Sequence, residues 1–205
     1  MLKPHILALL VLLGCTLCCQ AVTNSDYRLT MSPLPADTFK AMLDNVQQKK
    51  YDKIPGLLKS LEKVLAEIKE QHSQDLEKEI TTAVNGKNGT EAVAKIQKAL
   101  YYDIKCVFEN ILNAKEEQPA KLKLMLQTAY DDYILLSADV KKKNVINDSL
   151  IKKAFMKALS ILRVEQSALS ASQGTKEEVN FEDLENIFGL IQDYILTSYL
   201  EFGAK

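Results

Sequence analysis

Two short stretches set acids beside phenols: Tyr101-Tyr102-Asp103 and Tyr130-Asp131-Asp132-Tyr133. Carboxylates at such density hold hard cations such as Ca²⁺, Mg²⁺, Mn²⁺ or iron, whose charge is met by oxygen donors. If the two stretches lie on antiparallel helices joined by a turn near Glu117, Asp103 comes level with Asp131 and Tyr102 with Asp132. Asp103, Asp131 and Asp132 are therefore candidate metal ligands, and Tyr102 and Tyr133 a candidate ligand patch. The competing reading is structural: tyrosine rings pack inward while their hydroxyls reach the rim. The same pairing about Gln173 sets Asp193 opposite Lys153 or Ala154, an ordinary surface ion pair. The Glu-x-x-His pairs of di-iron bundles are also missing.

Other chemistry is hard to assemble from this chain. It contains no Gly-x-x-x-x-Gly-Lys phosphate loop, no Gly-x-Ser-x-Gly nucleophile turn and no Cys-x-x-Cys-His haem attachment. His72 continues an apolar stripe yet has strongly polar neighbours, which predicts a solvated histidine at a helix end. Cys106 lies among Ile104, Val107 and Phe108 and is expected to be a buried, inert thiol. No enzymatic activity is expected, and no cofactor is specified.

The elements that position these groups are helical. The 205 residues include only 7 glycines and 5 prolines, while Lys, Glu, Leu, Ala and Ile dominate, a helix former's composition. With 26 basic and 27 acidic side chains the net charge is -1, and Arg28 and Arg163 are the only arginines, so nucleic acid is not an expected partner. Asp37 is expected to cap a first helix carrying Phe39, Met42, Leu43 and Val46. Ile54-Pro55-Gly56 then separates it from a second, amphipathic helix through Leu57, Leu61, Val64, Leu65 and Ile68, which Asn85-Gly86-Lys87-Asn88-Gly89 ends. Asn88 and Glu91 have capping-box spacing for a third helix, roughly 91–115, which is apolar around most of its circumference and expected to be central. Pro119 opens a fourth helix, and Lys141-Lys142-Lys143-Asn144 closes it. A fifth is expected over roughly 148–167, and a sixth follows the capping spacing of Thr175 and Glu178.

The expected fold is all-α: a bundle or short solenoid of about six helices arranged as helical hairpins. Asp132-Tyr133-Ile134-Leu135 recurs as Asp193-Tyr194-Ile195-Leu196, and Lys98-Ala99-Leu100 as Lys157-Ala158-Leu159, an echo that an internal hairpin repeat would explain.

Residues 1–21 read as a secretory signal: Lys3 and His5 precede the aliphatic run Ile6 to Leu13, too short to span a bilayer as a resident helix. Leu12-Leu13-Gly14-Cys15 resembles the lipobox of bacterial lipoproteins. That resemblance implies lipidation of Cys15, a membrane anchor, and a location outside the cytoplasm facing the periplasm or cell exterior. The alternative is a plain cut after Ala21, which removes Cys15, Cys18 and Cys19 and leaves a soluble secreted or periplasmic protein. Residues 22–35 read as a flexible tether, and 36–205 as one helical domain. Asn88-Gly89-Thr90 and Asn147-Asp148-Ser149 match the glycosylation pattern in predicted turns, usable only by a eukaryotic secreted protein. These features predict a lipid-anchored binding or scaffold protein with a membrane and a protein as partners. The alternative is a periplasmic metal-binding bundle, with a metal ion as partner.

Overall fold

The structure is a computed structural model that describes residues 26–162 and 179–202. Nine α-helices occur among the described residues: α1 (Asp26–Thr30), α2 (Pro35–Gln47), α3 (Ile54–Ser60), α4 (Glu62–His72), α5 (Leu76–Asn85), α6 (Gly89–Asn113), α7 (Pro119–Lys143), α8 (Val145–Ile161) and α9 (Phe181–Ser198). There is no strand among these residues, and their packing is bundle-like. No described helix is long and apolar enough to cross a membrane. The leader with Cys15 and the expected cap at Thr175 and Glu178 lie outside the described residues.

Helix α6 is the axis of the bundle, as its all-round apolar pattern predicts. Leu100, Tyr101, Ile104, Cys106, Val107 and Phe108 are all buried, so successive positions around the helix face neighbours rather than water. Those neighbours are α2, α4, α5, α7 and α9. Its start follows the predicted capping logic: the Asn88 side chain accepts from the Glu91 backbone N–H at 3.2 Å, satisfying one of the donors that a helix N-terminus leaves free. The reciprocal contact departs from the usual box, since Glu91 accepts from the Asn88 side-chain amide at 3.0 Å.

The expected second helix is three helices. Leu61 leaves helical geometry at φ -97°, ψ 6° between α3 and α4. Ser73 turns left-handed at φ 57° after α4, and the Asp75 side chain caps α5 by accepting from the Lys78 N–H. The apolar stripe runs on regardless, through Leu65, Ile68, Leu76 and Ile80, all buried. Each piece lays its stripe on the same core, so periodicity holds no record of the breaks. Pro55 falls inside the first turn of α3 rather than between helices, where its missing N–H has no helical partner to lose. Asp37 likewise sits in the first turn of α2, with Pro35 opening the helix; there its charge complements the helix dipole.

Helices α6 and α7 form an antiparallel hairpin whose register is marked by the Gln97 amide donating to Asp139 at 3.3 Å. Asn144 then caps α8, accepting from the N–H groups of Ile146 and Asn147, and α8 packs on α9. Asn180 caps α9 by accepting from the Asp183 N–H at 3.1 Å. The sequence echo is buried out of phase in the two hairpins. Asp132 and Tyr133 are buried and Ile134 exposed, whereas Asp193 is exposed and Ile195 buried; a one-residue offset on a helix is a rotation of about 100°.

Candidate functional site

The Tyr/Asp cluster is gathered around a residue that composition assigns to the tether. Arg28 on α1 is only 2% exposed, and its guanidinium donates to Asp103 on α6 and to Glu67 on α4. Glu67 accepts further hydrogen bonds from the Tyr27 hydroxyl at 2.7 Å, the Asn110 amide at 2.8 Å and the Gln71 amide at 3.1 Å. Residues 26–30 are thus a packed helix joined to the core by a buried fork. Burial works against the guanidinium charge, but Asp103 and the other acidic neighbours outweigh it and hold its proton more firmly than usual.

Asp132 on α7 lies within hydrogen-bonding reach of Asp103. Complete burial, and then the charge of Asp103, raise its pKa well above the ordinary carboxylate value. Its carboxyl therefore keeps its proton to higher pH than an ordinary carboxyl, and while protonated it can donate to Asp103. Asp132 Oδ1 has no partner of its own.

The hairpin register differs by one residue from the pairing expected from sequence, and that step separates the five candidates. Asp103 meets Asp132 instead of Asp131. Asp131 is half-buried and accepts from the Gln127 amide at 3.0 Å. Tyr102 donates to the Phe202 carbonyl at 3.2 Å, and Tyr133 points toward α8, donating to Asp148 at 2.7 Å. Among the described residues no group of three or more His, Cys, Asp and Glu side chains is arranged to hold a metal ion. The cation beside Asp103 is the Arg28 guanidinium.

Glu67 and Arg28 went unrecognised in the sequence pattern. Faint signals exist: Arg28 is one of two arginines and follows Tyr27, and Glu67 falls three residues after core Val64, at the edge of the stripe. Neither residue type is expected in a core unless it is paired.

Asp148 forms a second buried node. Its Oδ1 accepts from Tyr133 and from the Ser137 hydroxyl, both at 2.7 Å, and Lys152 reaches its other oxygen at 3.0 Å. Burial disfavours this carboxylate, yet the bonds from Ser137, Tyr133 and Lys152 prevail and hold its pKa below the usual value. Asn147 is 7% exposed in the first turn of α8, its amide near the Tyr194 carbonyl at 3.4 Å; the turn expected there is helix. Asn88 remains exposed. Cys106 is fully buried, and burial pushes its thiol pKa far up, which leaves it unreactive.

His72 is not the solvated residue its neighbours suggest. Its side chain is 6% exposed and its ring meets Tyr102 with centroids 5.3 Å apart. Nε2 lacks a hydrogen-bond partner and stands 3.8 Å from Glu109. Desolvation, followed by the charge of Lys105, lowers its pKa to about 4, so the imidazole is neutral.

Glu109 also borders the open feature at this end of the bundle. A cleft of about 480 Å³ lies between the end of α6 and the start of α9, lined by Glu109, Leu112, Lys115, Phe181, Glu182 and Glu185 among others. Lys115 stands over the Phe181 ring at 5.8 Å. Such a mixture suits recognition of a polar group with an apolar part. No protein-family model, no curated protein and no solved structure matches this chain, so its reading rests on its own residues and geometry.

Proposed function

We propose that this chain is an extracytoplasmic, lipid-anchored helical module that binds or scaffolds a partner and carries out no reaction of its own. The observation that supports this reading is the engagement of its interior ionisable groups with one another. Arg28 is taken up by Glu67 and Asp103, and Asp148 by Tyr133, Ser137 and Lys152. Groups committed in this way hold helices together, whereas catalysis requires titratable groups converging on an accessible cleft. The grooves between helical hairpins and the cleft between α6 and α9 are the surfaces for a partner.

The anchor rests on Leu12-Leu13-Gly14-Cys15. Of the two glycosylation acceptors Asn147 is buried and Asn88 is exposed, so the eukaryotic secreted alternative keeps one usable site. The metal-binding alternative, through Asp103, Asp131 and Asp132 with Tyr102 and Tyr133, loses support because a guanidinium already neutralises Asp103.

Intact mass and peptide mapping of the protein from its native host test the anchor. A diacyl or triacyl mass on Cys15 is expected; a free N-terminus at Val22 would overturn the anchor and leave a soluble binding domain. Melting curves with and without added Ca²⁺, Mg²⁺ or Mn²⁺ are expected to superimpose, since a ligand specific to the native state raises the midpoint. A metal-dependent rise removed by Asp131→Asn with Asp132→Asn would restore the metal reading.

A further inference from the structure

One end of the bundle collects lysines from three separate chain segments around exposed aliphatic side chains. Helix α7 ends in Lys141, Lys142 and Lys143, all exposed, and the next residues but one, Val145 and Ile146, are 59% and 66% exposed. The turn after α2 brings Lys49 and Lys50 to the same end. Its Tyr51 hydroxyl lies 3.0 Å from where a Cβ on Gly89 would stand, and Val46 lies 3.8 Å away. Lys87, two residues before Gly89, joins them, and all three of these lysines are exposed. Leu200, 80% exposed, follows Tyr199, whose ring sits under Lys143 at 3.7 Å. The acids at this end are Asp139, which accepts from the Tyr199 hydroxyl at 3.2 Å, Asp52, 3.4 Å from Lys53, Glu91, which accepts from Asn88, and the exposed Asp44 and Asp193. Among the described residues Lys49, Lys50, Lys87, Lys141 and Lys142 form no ion pair with a side chain.

We infer that this end of the bundle docks on an anionic lipid surface, its lysines among the phosphate headgroups and Val145, Ile146 and Leu200 at the acyl boundary. Basic side chains ringing aliphatic ones match such a surface in charge and in polarity. Chain length permits it together with the anchor. Asp132, level with the Arg28 fork, lies about 16 Å along α7 from its lysine end, and the chain from Cys15 to Asp26 reaches about 37 Å when extended. The inference deepens the membrane-anchor reading without depending on acylation, because the lysines attract anionic lipid by themselves.

The full chain is mixed with vesicles of phosphatidylcholine alone and with vesicles containing phosphatidylglycerol, and partitioning is measured by co-sedimentation. Each lysine at an anionic surface multiplies partitioning by about fivefold, so preference for phosphatidylglycerol is expected to fall by about a hundredfold in Lys141→Gln/Lys142→Gln/Lys143→Gln. High salt is expected to produce a similar loss, and Ile146→Ser a smaller one. A control triple away from this end, Lys121→Gln/Lys123→Gln/Lys157→Gln, is expected to retain the preference. Equal partitioning into both vesicles, equal loss in the two triples, or an oligomer that Ile146→Ser dissociates would overturn the inference, the last assigning this end to a second copy. Absence of binding to phosphatidylcholine with the phosphatidylglycerol preference intact would instead count against the anchor alone and support the docking surface.

Discussion

Helix α6 borders two interiors of opposite chemistry. Toward α1 and α4 it presents Asp103 and Asn110 to a network around Arg28 and Glu67. Toward α8 and α9 it presents Phe108, stacked on Phe188 at 4.0 Å and tilted against Phe155 at 5.8 Å. The ring side is held by area and dispersion, which are non-directional and accept any close shape of similar volume. The charged side is held by directional bonds, and each member depends on the others being present. Such a network contributes little net stability compared with an apolar filling, yet losing one member leaves an uncompensated buried charge. A short helix of five residues, unable to persist alone, is thereby given one docking position.

The two largest effects expected form a matched pair. Arg28→Ala should destabilise by about 3 to 5 kcal/mol, because Glu67 and Asp103 would lose their shared cation in a dry site. Phe108→Ala should lose a similar amount, about 3 to 5 kcal/mol, through transfer and cavity terms. Urea denaturation measures both, and the two sides are then separated by rescue. Adding Glu67→Gln and Asp103→Asn to Arg28→Leu is expected to recover most of the loss, as no buried charge remains. A rescue that fails would show that the fork contributes shape rather than charge balance.

A smaller effect has the opposite sign. Asp132 holds its proton in the folded state to a pH well above the ordinary value near 3.9. Between those two values the native state binds more protons than the unfolded chain, so stability falls as pH rises through the window, by at most about 1.4 kcal/mol per pH unit. Asp132→Asn keeps a donor for Asp103 and removes the titration. It is expected to raise the melting midpoint at neutral pH and to flatten the decline, and a lower midpoint would break the assignment of a protonated Asp132.

The smallest effect belongs to His72. Its folded pKa of about 4 lies below the ordinary histidine value of 6.5, so the unfolded chain binds more protons between them. Stability from this group is present above pH 6.5 and is lost as pH falls toward 4. His72→Phe retains a ring against Tyr102 without a basic nitrogen and is expected to remove this acid-side slope. Denaturation midpoints at pH 4.5 and 7 compare the two proteins; an unchanged slope would place the neutral histidine elsewhere in the acid response.

Much of the helical order was legible because it is written locally. Asn88 and Glu91 three residues apart, Pro119 at a first turn and the apolar circumference of residues 100–112 each act within one or two turns of chain, and the structure keeps all three. The breaks at Leu61 and Ser73 were hidden because both sides of each break feed one core. The candidate site was legible only as residue types: Asp103 and Asp132 do meet, but a one-residue difference in hairpin register turned Asp131 outward and sent Tyr102 and Tyr133 to separate partners.

By itself, then, the sequence determined an all-helical chain with α6 at its axis, since capping, helix propensity and hydrophobic period are short-range properties. Only the tertiary structure decided that Arg28 leaves water for Glu67 and Asp103, residues 39 and 75 positions away, and that lysines from three segments share one end. A buried charge is tolerable only beside its counterion, and a patch exists only once separate elements are packed together. Both depend on contacts that are distant along the chain, which local spacing does not encode.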